Sequence, residues 1–225
     1  MIHIIITAYG EPKSTEKAVN AFLNQDIKDN YQIIVCDPFD DVEKYINEKF
    51  KDNKKVRYYK DPDEGNSYAL NLILNQIYGE NKEDIIIFTD GDVYASKNAL
   101  NEIIKTFKNE KVGCITAKPV PIDERKTKYG YWASFLFSGI DKARSKLSEN
   151  KQFLECSGYL FAIRNGIIKE FPLDASEDSI IPYLFWKKDY EIKYISEIEV
   201  YVKNPDNWKD WKNQKIRNIK GHEGL

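Results

Sequence analysis

Asp90-Gly91-Asp92 follows the apolar run Ile85-Ile86-Ile87-Phe88, with Thr89 between them. Two carboxylates one small residue apart at a strand end can converge on a single divalent cation. Carboxylate oxygens are hard ligands, so the pair suits Mg²⁺ or Mn²⁺, ions that keep positions for water and for substrate phosphates. Such an ion neutralises a departing diphosphate. Gly91 lets the backbone turn and lets a ligand approach closely. The same Asp-Gly step is also a common surface turn. Three further segments combine polar chemistry with the end of an apolar run: Tyr9 to Glu11, Asp37, and Asp61 to Asn66.

The elements that must position these residues alternate regularly. Ile2 to Thr7 is a near-continuous apolar run, and Ile33-Ile34-Val35 ends at Cys36-Asp37-Pro38. Val56 to Tyr59, Ile85 to Phe88 and Val112 to Ala117 are the other strand candidates. Between them, apolar residues recur at helical spacing, as in Ala18, Val19, Phe22 and Leu23, or Leu100, Ile103, Ile104 and Phe107. This rhythm predicts βαβ units and a mostly parallel open sheet flanked by helices. Such sheets bind ligands at the carboxyl ends of their strands, where the polar segments fall. After residue 118 the rhythm changes. Lys118-Pro119-Val120-Pro121 reads as extended or turn-like, and Ile180 to Trp186 as a helix with Pro182 in its first turn. Trp132, Phe135, Leu136 and Ile140 can share one helical face, while the stretch from Lys203 reads as a polar, aromatic tail.

The chain has 225 residues, with 34 Lys+Arg against 36 Asp+Glu, a net charge of −2. Near-neutral charge lacks the basic face of a nucleic-acid binder. Cys36, Cys114 and Cys156 are scattered and odd in number, as expected of small buried apolar residues in a reducing compartment. The start lacks the basic region of a signal peptide. No apolar run approaches the ~18 residues of a membrane span. The expectation is a cytoplasmic, soluble protein.

The motifs, taken in order, resemble those of the family 2 glycosyltransferases with the GT-A fold. Ile4-Ile5-Ile6-Thr7-Ala8-Tyr9-Gly10-Glu11 is similar to the family's first strand and its A-Y-N-E turn, with Gly10 where Asn is usual. Ile33-Ile34-Val35-Cys36-Asp37 resembles the second strand, although Pro38-Phe39-Asp40 replaces the usual D-G-S. Gly65-Asn66-Ser67-Tyr68-Ala69-Leu70-Asn71 matches a G-x-x-x-A-x-N helix start. Asp90-Gly91-Asp92 falls at the D-x-D position, and Glu177-Asp178 at the E-D pair that follows Gly158 and Arg164-Asn165-Gly166. Gln214-Lys215-Ile216-Arg217-Asn218 is similar to Q-x-x-R-W with Asn218 in place of Trp.

The resemblance implies a single GT-A domain over 1–225. Its nucleotide-sugar-binding half would be 1–118, and its acceptor-side half and tail 119–225. It implies a metal-dependent, inverting transfer of a sugar from a nucleotide-diphosphate donor to a saccharide or lipid-linked acceptor. Asp178 would be the base that takes the acceptor proton, with Glu177 beside it. The same pair also suits a helix N-terminus after Ser176. Asp92 would ligate the cation, with Asp90 bridging metal and ribose and His222 as a third ligand. Asp37 would hydrogen-bond the base, and Tyr9 would lie against its ring, in company with Glu11, Gly65, Asn66 and Asn71. The ordinary alternatives are an Asx turn for Asp37 and core packing for Tyr9. Gln214 and Arg217 would lie near the diphosphate or acceptor. Trp208 and Trp211 would stack on a sugar or pack the tail onto the domain. His3 reads as structural. Residues 129–140 form either a core helix beneath the acceptor site, the favoured reading, or a peripheral membrane contact with basic flanks.

Two other functions compete. One is a catalytically degenerate domain that binds nucleotide or sugar, kept open by Pro38 and Asn218. The other is a nucleotidyltransferase, disfavoured because Gly10-Glu11-Pro12-Lys13 offers one Gly and one Lys to a triphosphate.

Overall fold

The computed structural model describes residues 1–79 and 81–221. Its strands are β1 (Ile2–Thr7), β2 (Tyr31–Asp37), β3 (Val56–Lys60), β4 (Ile85–Asp90), β5 (Tyr94–Ala95), β6 (Val112–Pro121), β7 (Leu160–Arg164) and β8 (Glu191–Val202). The helices are α1 (Pro12–Leu23), α2 (Asp40–Lys49), α3 (Asn66–Ile77), α4 (Ala99–Phe107), α5 (Lys128–Glu149), α6 (Glu177–Trp186) and α7 (Trp208–Gly221). The strands form one sheet in the order β3-β2-β1-β4-β7-β6-β8-β5. β3, β2, β1 and β4 are mutually parallel. β7 runs antiparallel to β4 and to β6, whereas β6 and β8 are parallel.

The apolar runs of β1, β2 and β4 are continuous because both faces are covered. Side chains alternate across a strand. Ile4, Ile6, Ile33 and Val35 therefore pack with Val19 and Phe22 of α1 and with Val42 and Ile46 of α2. Ile5, Ile34, Ile86 and Phe88 face the other way, onto Leu70, Ile73 and Leu74 of α3 and onto Ile181 and Phe185 of α6. All three cysteines are buried and free.

Because β1 to β4 are parallel, Lys60, Asp37, Thr7 and Asp90 end at one edge of the sheet. β7 enters that edge from the opposite direction: Leu160 pairs with Thr89. The segment just before β7 thus lies beside Asp90.

In the second half, Lys118 to Pro121 takes the extended of its two expected forms, as the end of β6 paired with Glu199 to Val202 of β8. The prolines are tolerated because β7 pairs only with Cys114 to Thr116, leaving one edge of β6 without a strand beyond that point. The tail forms α7. Tyr131, Phe135, Leu136 and Ile140 on α5 are exposed, Phe135 by 68%. A core helix describes only part of α5: Ala133 is buried, and Phe137 packs on the core. Trp132 meets Trp211 at 5.3 Å and Trp208 at 6.4 Å, so the two tail tryptophans dock α7 onto α5.

Candidate active site

The strand-end loops are tied to one another in a continuous arc. Asp37, fully buried at the end of β2, accepts the Gly10 N–H on Oδ2 and the Phe39 N–H on Oδ1, both at 2.8 Å. Its carbonyl accepts the Asp61 N–H and the Tyr58 hydroxyl. The Asx-turn reading therefore describes its carboxylate well. Gly10 adopts φ +75°, a left-handed conformation that suits glycine. The loop it shapes presents Tyr9, which is 67% exposed and meets Phe39 edge-on with 4.9 Å between ring centres. Core packing is thus excluded for Tyr9. Glu11 is exposed, and its carbonyl accepts the N–H and hydroxyl of Thr15 in α1. Burial raises the pKa of Asp61, which also accepts the Asp63 N–H.

At the end of β4, Thr7 Oγ1 lies 3.5 Å from Asp90 Oδ1. Gly91 is buried, and its N–H donates to the Thr7 carbonyl at 2.7 Å. A Cβ on Gly91 would stand 2.8 Å from the Ala8 Cβ and 3.0 Å from the Thr15 hydroxyl. Glycine is required here by packing against the β1 loop and α1. Asp90 is half-buried, and Asp92, on the turn beyond, is exposed. Two hard carboxylates at this edge fit Mg²⁺ or Mn²⁺, whose remaining positions go to water and phosphate oxygens. Among the described residues no group of three or more His, Cys, Asp or Glu is close enough to hold a metal. His222 lies outside the described residues.

From β4 the arc crosses to β7 and α6. The Thr89 hydroxyl donates to the Tyr159 carbonyl at 2.7 Å, and the Gly158 N–H donates to Asp178 Oδ2 at 3.0 Å. Ser176 Oγ donates to Asp178 Oδ1. The Asp178 backbone is held as well. Its carbonyl would ordinarily accept the N–H of residue 182, four positions on, but that residue is proline and has none. The Cys156 N–H takes its place at 2.9 Å. Pro182 lies inside α6 rather than in its first turn. Asp178 is thus bound to the 156–158 loop through both main chain and side chain.

Glu177 is turned to α3. Its Oε1 accepts Asn66 Nδ2 at 2.7 Å, and its Oε2 lies 3.4 Å from Ser67 Oγ. Burial, reinforced by the charge of Asp178, raises its pKa; Asn66 and Ser67 act the opposite way. Gly65 precedes α3 with φ +100° and ψ 151°, a region essentially restricted to glycine. Asn71 makes a two-way clamp: Nδ2 donates to the Phe171 carbonyl at 2.8 Å, and Oδ1 accepts the Phe171 N–H at 3.0 Å. Gln214 and Arg217 both fall on α7, with Gln214 half-buried.

The arc therefore gathers Tyr9, Asp37, Asp90, Asp178, Glu177 and Asn66 through direct or one-residue contacts, while Asn71 braces the loop leading to α6. Sequence reasoning named Ser176, Phe39 and Pro182 but missed what they do: the Ser176 hydroxyl bond to Asp178, the Phe39 ring beside Tyr9, and the Asp178 carbonyl that Pro182 leaves to Cys156. The four-residue interval from Asp178 to Pro182 was the available signal for the last.

Open, mostly parallel α/β sheets as a class take ligands at the carboxyl ends of their strands, the edge at which Asp37 and Asp90 stand here. The chain belongs to glycosyl transferase family 2, whose family model matches residues 3–171. Solved structures of TarS from S. aureus share the fold. TarS 1-349 in complex with UDP-GlcNAc aligns at a TM-score of 0.64 and 19% identity, covering 92% of this chain and 59% of that one. TarS 1-349 in complex with UDP aligns at 0.61 and 20%, covering 91% and 61%. The chain thus spans about three fifths of those structures. Comparison with curated proteins returned no match.

Proposed function

We propose that this chain is a metal-dependent, inverting glycosyltransferase that uses a nucleotide-diphosphate sugar, with a UDP-sugar as the first donor to test. The observation that carries the reading is the fixation of Asp178, through Gly158, Ser176 and Cys156, at the sheet edge that also bears Asp90. The UDP-GlcNAc and UDP complexes of the similar TarS fold support the donor class.

In this reading the acceptor hydroxyl attacks the anomeric carbon opposite the diphosphate. The new C–O bond forms as the bond to the diphosphate oxygen breaks, and the nucleoside diphosphate leaves with the electron pair. Asp178 accepts the hydroxyl proton. The Gly158 and Ser176 hydrogen bonds orient its carboxylate and leave further lone pairs for that proton. Asp90 and Asp92 would hold Mg²⁺ or Mn²⁺, which supplies positive charge beside the diphosphate when bound. Tyr9 offers an exposed ring to the base, and Asp37 fixes the loop that carries it. The acceptor is read as a saccharide or a lipid-linked acceptor.

No helix among the described residues is long and apolar enough to cross a membrane. The exposed Phe135, Leu136 and Ile140 of α5, flanked by exposed Lys142 and Lys146, support a peripheral contact with an anionic membrane surface. Flotation with phosphatidylglycerol vesicles, compared with phosphatidylcholine alone, tests that contact.

The enzymatic reading is tested by a donor-hydrolysis and transfer screen over UDP-, GDP- and CMP-sugars with Mn²⁺ and Mg²⁺, run beside Asp92→Ala. Turnover that collapses in the variant supports it. Equal activity in the variant removes the metal assignment, and donor binding without turnover by the native chain favours a binding module.

A further inference from the structure

Asn66, expected to face the donor, is exposed and has its side-chain amide against the start of α6. It donates to Glu177 Oε1 at 2.7 Å, while Ser67 Oγ lies 3.4 Å from Oε2. Both oxygens of Glu177 are thereby engaged by the first turn of α3. The neighbouring carboxylate of Asp178 is engaged separately by Gly158 and Ser176. Glu177 and Asp178 are the first two residues of α6, so a force on one moves the backbone of the other.

We propose that Asn66 is a positioning residue for the reaction: by anchoring Glu177 it sets where the first turn of α6, and with it Asp178, stands relative to the donor side. The proposal rests on the reading of Asp178 as the base. Its physical basis is the direction of the hydrogen bond. Asn66 is the donor and Glu177, a carboxylate, is an acceptor only. Burial and the charge of Asp178 both disfavour an ionised Glu177, so the amide offsets part of that cost. The backbone supports the role as well. Gly65, just before Asn66, holds a φ of +100° that fixes the direction in which α3 begins.

The test is a polarity reversal. Asn66→Asp keeps the shape but sets two carboxylates against each other. Glu177→Gln supplies an amide in the place of the carboxylate, so the double variant N66D/E177Q restores one donor and one acceptor with their roles exchanged. Steady-state transfer and thermal unfolding are measured for all four proteins, with donor dissociation constants measured separately. The expected result is a kcat for N66D reduced about tenfold or more, a donor dissociation constant within about twofold of the native value, and a kcat for the double variant about tenfold above that of N66D. Unfolding temperatures should follow the same pattern, which reads the contact without using activity.

If N66D weakens donor binding and E177Q does not rescue it, Asn66 acts on the donor and the proposal fails. If unfolding temperatures show the rescue but kcat does not, the contact is only structural and the proposal also fails. Loss of transfer in N66D that persists in the double variant, with E177Q alone equally inactive, would make Glu177 itself a reacting group and overturn the positioning role. Absence of transfer by the native protein across the donor screen would refute the enzymatic reading, while rescue in the unfolding temperatures would still hold.

Discussion

Replacing Pro182 by alanine returns an N–H to the sixth position of α6, one turn beyond Asp178. Proline inside a helix costs ~3 kcal/mol relative to alanine. Pro182 is buried, so the exchange also removes two buried methylenes, worth ~1.6 kcal/mol at ~0.8 each. The balance is a gain of about 1.4 kcal/mol, which for a chain of this size raises the unfolding temperature by about 3–6 °C. The new N–H points at the carbonyl of Asp178, where it competes with the Cys156 N–H now held at 2.9 Å. Loosening that contact frees the 156–158 loop, whose Gly158 N–H orients the Asp178 carboxylate. A displacement near 1 Å at a reacting group costs ~10² in rate. The assay pairs thermal unfolding with single-turnover transfer at saturating donor. A more stable protein with strongly reduced kcat is expected. A more stable protein with native kcat would refute the coupling of Pro182 to Asp178.

Glu177→Gln should raise the unfolding temperature at neutral pH, because burial raises the pKa of Glu177 and so penalises its ionised form in the folded state. A raised carboxyl pKa means the folded state binds the proton more tightly. The advantage of the variant should therefore shrink as pH falls through the folded pKa toward the ordinary value of 4.5, checked by unfolding curves from neutral pH downward. Gly91→Ala should lose about 1–3 kcal/mol, since its methyl would sit 2.8 Å from the Ala8 Cβ, and chemical denaturation measures this directly. Arg164→Met should cost about 3–5 kcal/mol by the same measurement. Its buried guanidinium donates to the carbonyls of Val112, Lys82, Phe107 and Asn109, which the variant would strand.

The parallel core was legible because strands buried on both faces must be apolar throughout. Ile4-Ile5-Ile6, Ile33-Ile34-Val35 and Ile85-Ile86-Ile87 announce themselves, and the strand-end rule then locates Tyr9, Asp37 and Asp90. β8 was missed because Glu191, Lys193, Glu197 and Glu199 break its apolar residues, yet Ile192, Tyr194, Ile198 and Val200 are buried. The period of two was present but masked by charge. β5 is two residues long and exists only through pairing with Tyr201 and Val200, which no local pattern encodes. The aromatic stretch of α5 carried an ambiguity that pattern alone does not settle. An apolar side chain at helical spacing reads the same whether it faces the core, as Phe137 does, or solvent, as Phe135 does. Within the site, residue types marked the location but not the hydrogen-bond partners. Asp37, Asn66 and Asn71 engage Gly10 and Phe39, Glu177, and Phe171 respectively. Those pairings depend on long-range folding.

Asp178→Asn separates proton removal from donor binding. The amide keeps the shape and can still sit by Gly158 and Ser176, but it takes up no proton from an acceptor hydroxyl. Donor binding by calorimetry and transfer by product detection are measured on the same preparation. The expected result is a donor dissociation constant within about twofold of native and a transfer rate lower by ~10²–10⁴. Native-like transfer by D178N would contradict the role of Asp178 as the base.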